Sequence, residues 1–141
     1  MEKATRYLVI ILLLLSITGC PGALDSYNRK ELGHGYVFYE EGGFPLISRD
    51  IPSRRCIPQV VVDYDYDNSY IIALQNEYKL TSYEVEKYSI EQQYEVIKKK
   101  GKLKYWIIDN INDSIYGPLK KNEYLNKRNE LGIPSELTLK E

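Results

Sequence analysis

Acidic and tyrosine residues alternate over residues 63–68, in the sequence Asp-Tyr-Asp-Tyr-Asp-Asn. Carboxylates at alternate positions match ligand positions 1, 3 and 5 of a calcium loop, so Asp63, Asp65 and Asp67 are candidate calcium ligands. Such a loop also needs glycine at position 6 and glutamate at position 12, where this chain has Asn68 and Leu74. Because successive side chains of a strand face opposite sides, we instead expect a solvated acidic strand face. The opposite face would carry Val60, Val62, Tyr64 and Tyr66.

Few other residues are arranged for chemistry. Cys56 follows two arginines, whose charge would lower a thiol pKa, so Cys56 is a candidate reactive thiol; it could equally be a small, partly buried hydrophobe or form an intermolecular disulfide. His34 is the only histidine, and no paired cysteines or histidines suggest zinc. We predict no cofactor. The absence of a catalytic set favours a non-enzymatic protein, although a carboxylate site of Asp63, Asp65 and Glu77 stays open.

Residues 1–20 have the order of a secretory signal peptide: basic residues, an apolar run over residues 7–15, and small residues before Cys20. The sequence Ile-Thr-Gly-Cys at residues 17–20 resembles the lipobox of bacterial lipoproteins. That resemblance implies cleavage before Cys20 and attachment of diacylglycerol to its sulfur, often with an N-acyl chain such as palmitate. The apolar run is shorter than the roughly 20 residues that a bilayer-spanning helix needs, which argues against an uncleaved anchor.

These features predict three parts of the chain: a signal peptide (1–19), a lipidated N-terminus and tether (20–34), and one globular domain (35–141). A flexible tether of that length spans roughly 20 Å, so the domain would lie near the lipid headgroups of the cell envelope. Position 21 is Pro rather than Asp, which favours the outer membrane if the host has one.

The domain sequence predicts six strands, at residues 36–40, 44–48, 59–66, 70–76, 102–109 and 114–116. Two helices are predicted. Ser89 and Gln92 form a capping box for a helix that ends at Gly101, and a second helix spans residues 121–130 before a glycine stop at Gly132. Since strands and helices do not alternate regularly, we expect an α+β fold. Its antiparallel sheet of five or six strands would carry both helices on one face.

The chain contains 19 Lys and Arg and 20 Asp and Glu residues, with a net charge of −1. Without a basic stripe, nucleic acid is not indicated as a partner. Tyrosine is frequent, with 14 residues, and Tyr83, Tyr88 and Trp106 could stack on a sugar or a peptide. Because Trp106 lies among apolar neighbours in a predicted strand, we expect it in the core instead. The sequence does not predict the oligomeric state.

Three motifs of the last forty residues resemble a family of small bacterial lipoproteins known only as a domain of unknown function. They are Tyr-Trp-Ile-Ile-Asp at residues 105–109, Tyr-Gly-Pro-Leu at 116–119, and Leu-Gly-Ile-Pro at 131–134. The resemblance implies no catalytic residue. We therefore expect a membrane-anchored lipoprotein that binds an envelope protein without catalysis. The alternative is a module that binds a small ligand or glycan through exposed tyrosines.

Overall fold

The structure is a computed structural model that describes residues 29–49 and 55–141, except for the side chains of Arg55 and Cys56. The predicted signal peptide (1–19), Cys20 and most of the predicted tether lie outside the described residues. The described part of the chain forms eight strands and three helices.

The first sheet is antiparallel and has the order β1-β2-β3-β4. Its strands are β1 (Lys30–Gly33), β2 (Tyr36–Glu41), β3 (Phe44–Arg49) and β4 (Arg55–Ile57). The sequence pattern had placed β1 in the tether and β4 in a loop. Both are short edge strands, yet each contributes a buried residue, Leu32 and Ile57, to the core. Single apolar residues of this kind leave no periodic signal.

The second sheet is also antiparallel, with the order β5-β6-β7-β8. Its strands are β5 (Val61–Tyr66), β6 (Tyr70–Glu77), β7 (Lys102–Asp109) and β8 (Ser114–Leu119). A tight turn joins β5 to β6, in which Asp67 Oδ1 accepts hydrogen bonds from the backbone N–H groups of Ser69 and Tyr70, each at 2.7 Å. All four strands were predicted, and β8 extends three residues beyond its predicted end.

The prediction of a single sheet is wrong, because β6 and β7 bury both of their faces. On one face, Ile71, Ala73 and Ile108 pack against residues of the first sheet. On the other face, Ile72 and Ile107 pack against a helix and the last segment of the chain. A sheet that is apolar on both faces needs a covering layer on each side. The first sheet supplies one of these layers.

The helices are α1 (Ser82–Lys87), α2 (Ile90–Lys100) and α3 (Lys121–Glu130). α3 covers the second sheet, where Tyr124 stacks on Tyr105 with ring centroids 4.9 Å apart. α2 instead lies at the end of β6, where the Asn76 side chain donates to the Lys98 carbonyl at 3.2 Å. The two predicted helices are therefore placed differently, and α1 was not predicted at all.

The predicted boundaries of α2 and α3 agree with the structure. The capping box of Ser89 and Gln92 is present, and Gly132 has the positive φ of 64° that favours glycine after a helix. Gly101 serves a different purpose, because its φ is −70°. A Cβ atom there would lie 1.7 Å from Asn76 Oδ1, so this position requires glycine for space.

Candidate functional site

Helices α1 and α2 present apolar side chains to solvent. Tyr83 is 62% exposed, Val85 54% and Ile90 43%. Tyr83 and Tyr88 meet edge to face with ring centroids 6.3 Å apart. We call this region the α1–α2 surface, and its apolar members are Tyr83, Val85, Tyr88, Ile90, Tyr94 and Val96.

A buried carboxylate positions α1. Glu84 is 5% exposed, and its Oε1 accepts from Lys100 Nζ at 2.7 Å and from the Tyr78 hydroxyl at 3.2 Å. Glu84 Oε2 accepts from the backbone N–H of Thr81 at 2.9 Å, and the Thr81 hydroxyl accepts from the Glu84 N–H at 3.2 Å. These reciprocal bonds are a capping box. The bond from Lys100 is the largest of the effects that lower the pKa of Glu84 to about 2.

Gln93 joins the two helices from within. Its side chain is buried and donates to the carbonyl of Val85 at 3.2 Å and to that of Tyr88 at 2.9 Å. Lys100 pairs with Glu84 from the far end of α2. Polar contacts therefore hold α1 to α2, and the outward apolar side chains of both helices have no covering layer among residues 29–49 and 55–141.

Two shallow grooves flank α2. One, of about 370 Å³, is lined by Tyr88, Gln92 and Val96. The other, of about 510 Å³, lies between α2 and the β2–β3 turn and is lined by Pro45, Ile90 and Tyr94. The β2–β3 turn approaches α2 closely, since a Cβ atom on Gly43 would lie 2.4 Å from Ile90 Cγ2.

Negative charge borders both grooves. Glu91 and Glu95 line each of them, and Glu40 lines the larger one. A hydrogen bond from the Ser89 hydroxyl, 2.7 Å long, lowers the pKa of Glu91 below its ordinary value. Lys98 partly balances Glu95 at 3.6 Å. The surface combines exposed apolar area with carboxylates, which suits a partner with apolar and basic side chains.

The acidic strand face takes part in packing. Asp65 Oδ2 accepts from the Thr138 N–H at 2.9 Å, and Asp63 Oδ2 accepts from the Lys140 N–H at 2.6 Å. Both aspartates are half-buried. The expectation of a purely solvated face is therefore wrong, because the last segment of the chain runs across it.

The predicted division of β5 into two faces holds only in part. Register shifts between Val61 and Asp63, so Val61 packs between the sheets on the side of Tyr64 and Tyr66, whereas Val62 packs against the opposite core. A bulge of this kind moves one residue to the other face. Asp67 forms the turn after β5, apart from the bonds of Asp63 and Asp65 to the last segment. Within the described residues these aspartates form no group that could hold a metal ion, so the calcium alternative gains no support.

The other predicted residues do not converge with these aspartates. Glu77 is exposed and pairs with Lys104 at 3.6 Å. Trp106 is buried, as expected for a core residue, and donates to Gln75 Oε1 at 2.8 Å. His34 lies exposed in the β1–β2 turn with a φ of 51°. Cys56 lies in β4, and its side chain is outside the described part, so its thiol chemistry stays a prediction.

Within residues 29–49 and 55–141, no group of three or more His, Cys, Asp or Glu side chains could hold a metal ion. In the same part of the chain, no helix is both long and apolar enough to cross a bilayer.

Sequence reasoning missed α1 and the buried Glu84. The signal was present, because Thr81 and Glu84 have the spacing of a capping box. The segment was nevertheless too short to show helical periodicity, and its apolar residues are the exposed ones.

No curated protein and no solved structure matches this chain. One family model, described as "Protein of unknown function (DUF3997)", matches residues 44–141. The matched part begins in β3 and contains the α1–α2 surface, the second sheet and α3. This agrees with the resemblance carried by the motifs at residues 105–134. Because the match covers more than half of the sequence, the chain belongs to this DUF3997 family.

Proposed function

We propose that the protein is a lipoprotein of the bacterial cell envelope that binds another envelope protein through the α1–α2 surface. The observation that carries the binding proposal is the exposure of Tyr83, whose ring contacts Tyr88 in the lining of one acid-bordered groove, together with the exposed Ile90 that lines the other. Exposed apolar side chains that cluster, rather than occur singly, mark interaction sites. Tyrosine is also a side chain favoured in protein interfaces.

The proposed anchor is Cys20, on the basis of the sequence pattern of residues 1–20. Since β1 begins at Lys30, residues 21–29 would join the lipid to the first sheet. Nine residues reach no more than about 32 Å even when fully extended. An anchor this short would keep the domain near the bilayer and restrict its partners to proteins in or beside the same membrane.

The negative charge beside the grooves of the α1–α2 surface indicates which residues a partner would carry. A segment that inserts aliphatic or aromatic side chains into the grooves would place its flanking groups near Glu91 and Glu95. Lysine or arginine at those flanks gives complementary charge, whereas acidic flanks are repelled. We therefore infer an apolar, basic segment of an envelope protein as the ligand.

Mass spectrometry of the N-terminal peptide tests the anchor. We expect a mature chain that starts at a lipid-modified Cys20, and an unmodified Cys20 would contradict the proposal. Cys20→Ala should move the protein out of the membrane fraction.

Site-specific photo-crosslinking in intact cells tests the surface. A photoreactive amino acid replaces Tyr83, and the matched control replaces Ile111, which is also apolar and 67% exposed but lies in the β7–β8 turn. We expect a defined protein adduct at position 83 and not at position 111. Glu91→Lys with Glu95→Lys should abolish that adduct. An adduct of equal yield at both positions, or one insensitive to the charge reversal, would refute the proposed site.

The edge-to-face pair of Tyr83 and Tyr88 supports a second candidate, a glycan-binding module, because exposed aromatic rings can stack on sugars. Co-sedimentation with purified peptidoglycan separates the two candidates. A glycan-binding module would sediment and lose binding on Tyr88→Ala, whereas a protein-binding lipoprotein would stay in solution.

A further inference from the structure

We propose that the second sheet carries a recognition site for a polypeptide segment, and that residues 134–141 of the same chain occupy it with a turn over residues 134–137 followed by residues that pair with no strand. A partner with a matching segment would compete with these residues for the site. We call residues 134–141 the last segment, and we call Asp63 and Asp65 the clamp carboxylates. This site is separate from the α1–α2 surface and rests on different observations.

The clamp carboxylates bind backbone rather than side chains. Asp65 accepts from the N–H of Thr138 and Asp63 from the N–H of Lys140. Alternate residues of a strand are about 6.6 Å apart. Asp63 and Asp65 are alternate residues of β5, and Thr138 and Lys140 are alternate residues of the last segment. The spacing of the two carboxylates therefore matches the spacing of the two amides that they bind. This match does not depend on the side chains at positions 138 and 140.

The intervening residues supply specificity. Leu137 is buried and Leu139 half-buried in the core that includes Ile72, Tyr105 and Ile107. Two residues beyond Leu139, Glu141 accepts from the Tyr105 hydroxyl at 2.9 Å and pairs with Lys121 at 2.7 Å. The site would therefore recognise a five-residue pattern: an aliphatic residue at the first and third positions, an acidic residue at the fifth, and any residue at the second and fourth.

A further cation holds the start of the last segment. Arg128 donates to the carbonyls of Pro134 and Leu137, each at 2.5 Å. It also donates to the Tyr124 hydroxyl at 3.1 Å. Arg128 and the clamp carboxylates together engage the backbone of the segment through its carbonyls and its amides.

The last segment is not part of a sheet. Residues 134–141 belong to no strand, and the contacts just described link their backbone to side chains of β5 and α3. Such a segment can leave without breaking the hydrogen bonds between β5 and β6, so its departure would expose the site with the sheet intact. While attached, it competes with a partner at an effective concentration of order millimolar.

Fluorescence anisotropy with a labelled peptide tests the proposal. The probe has the sequence of residues 131–141, and the control peptide carries serine at both leucine positions of the motif. The full chain is compared with a variant that carries Leu137→Ser and Leu139→Ser, which weakens the hold on its own segment. We expect the variant to bind the probe at least about 10-fold more tightly than the unchanged protein, because the competing segment is weakened.

Adding Asp63→Ala and Asp65→Ala to the variant should lower its affinity for the probe by about 10-fold or more, since both backbone bonds are lost. A folded variant that binds the probe no more tightly than it binds the control peptide would overturn the proposal.

If the variant does not fold, hydrogen exchange of the unchanged protein tests whether the last segment detaches while the rest of the domain stays folded. We expect the amides of Thr138 and Lys140 to exchange at least about 10-fold faster than those of Ile72 and Ile107. Equal exchange rates at all four amides would mean that the segment opens only when the whole domain unfolds. That result would also overturn the proposal.

Discussion

Apolar side chains are buried in the second sheet but exposed on the α1–α2 surface. In the sheet, Ile72 and Ile107 are fully buried, and each face has its own covering layer. On α1 and α2, Tyr83 and Val85 project into solvent, while buried polar groups such as Glu84 and Gln93 hold the helices in place. Burial of apolar area stabilises a domain, so the sheet accounts for folding. The exposed apolar residues contribute little to stability, and the proposed binding surface rests on them.

The largest expected difference is in stability. Ile107→Ala should lower the free energy of unfolding by about 2–5 kcal/mol, because it removes buried methyl groups and leaves a cavity. Val85→Ala should change it by less than about 0.5 kcal/mol, because Val85 is already in water. Urea denaturation of both variants checks the contrast. Equal losses would mean that the α1–α2 surface is part of the core in solution.

A second prediction concerns the join between these regions. Gly101→Ala should lower the free energy of unfolding by about 1–3 kcal/mol, because the new methyl group overlaps the Asn76 side chain. Gly42→Ala is a control for steric overlap, since nothing lies within 4 Å of a Cβ at position 42. Its positive φ of 62° introduces backbone strain instead. Thermal unfolding of the two variants, with the helical signal recorded separately, should show helix loss specific to Gly101→Ala.

The ion pair under α1 predicts a pH dependence. The pKa of Glu84 falls to about 2 in the folded protein, below the value of about 4.3 for an unperturbed glutamate. Its stabilising contribution is therefore fully present above pH 4.3 and is lost as pH falls towards 2.

Glu84→Gln should lower Tm at pH 7, and the difference from the unchanged protein should shrink as pH falls through that range. Thermal melts between pH 7 and 2 measure this difference. Glu86→Gln, an exposed change on the same helix, serves as the control. A Tm difference for Glu84→Gln that does not vary with pH would contradict the ionised pair.

Tyr83→Ala should have the smallest effect on the free energy of unfolding and the largest effect on binding of the proposed partner. Tyr83→Ala should leave the urea midpoint nearly unchanged, because 62% of the side chain is exposed. The same change should reduce co-purification of the envelope partner by at least about 10-fold if Tyr83 is a central contact. Leu125→Ala, on the exposed side of α3, should affect neither measurement.

The sequence predicted the elements with strong local signals. Strands β5 to β7 are rich in β-branched and aromatic residues, and Ser89 and Gly132 bound helices that the structure contains. It did not predict that the eight strands of the described chain form two sheets, because pairing partners are set by contacts between distant residues. β1 and β4 depend on such contacts, since each has few apolar residues of its own.

The two candidate sites were less accessible to sequence reasoning. The alternation of aspartate and tyrosine over residues 63–66 predicted a strand with an acidic, solvated face. It did not predict that residues near the end of the chain bind to that face. The bonds from Thr138 and Lys140 bridge more than 70 residues, and no local pattern encodes them. Tyr83 and Tyr88 were identified from the sequence as candidate contacts. The helix that presents Tyr83 was not predicted, because α1 has only six residues and no buried apolar face.

Hydrogen exchange of the protein in isolated cell envelopes, compared with the purified protein, tests whether a partner covers the α1–α2 surface. We expect slower exchange in envelopes over α1 and α2, residues 82–100, and unchanged exchange in β6 and β7. Protection confined to the β7–β8 turn or to α3, with none over residues 82–100, would contradict it.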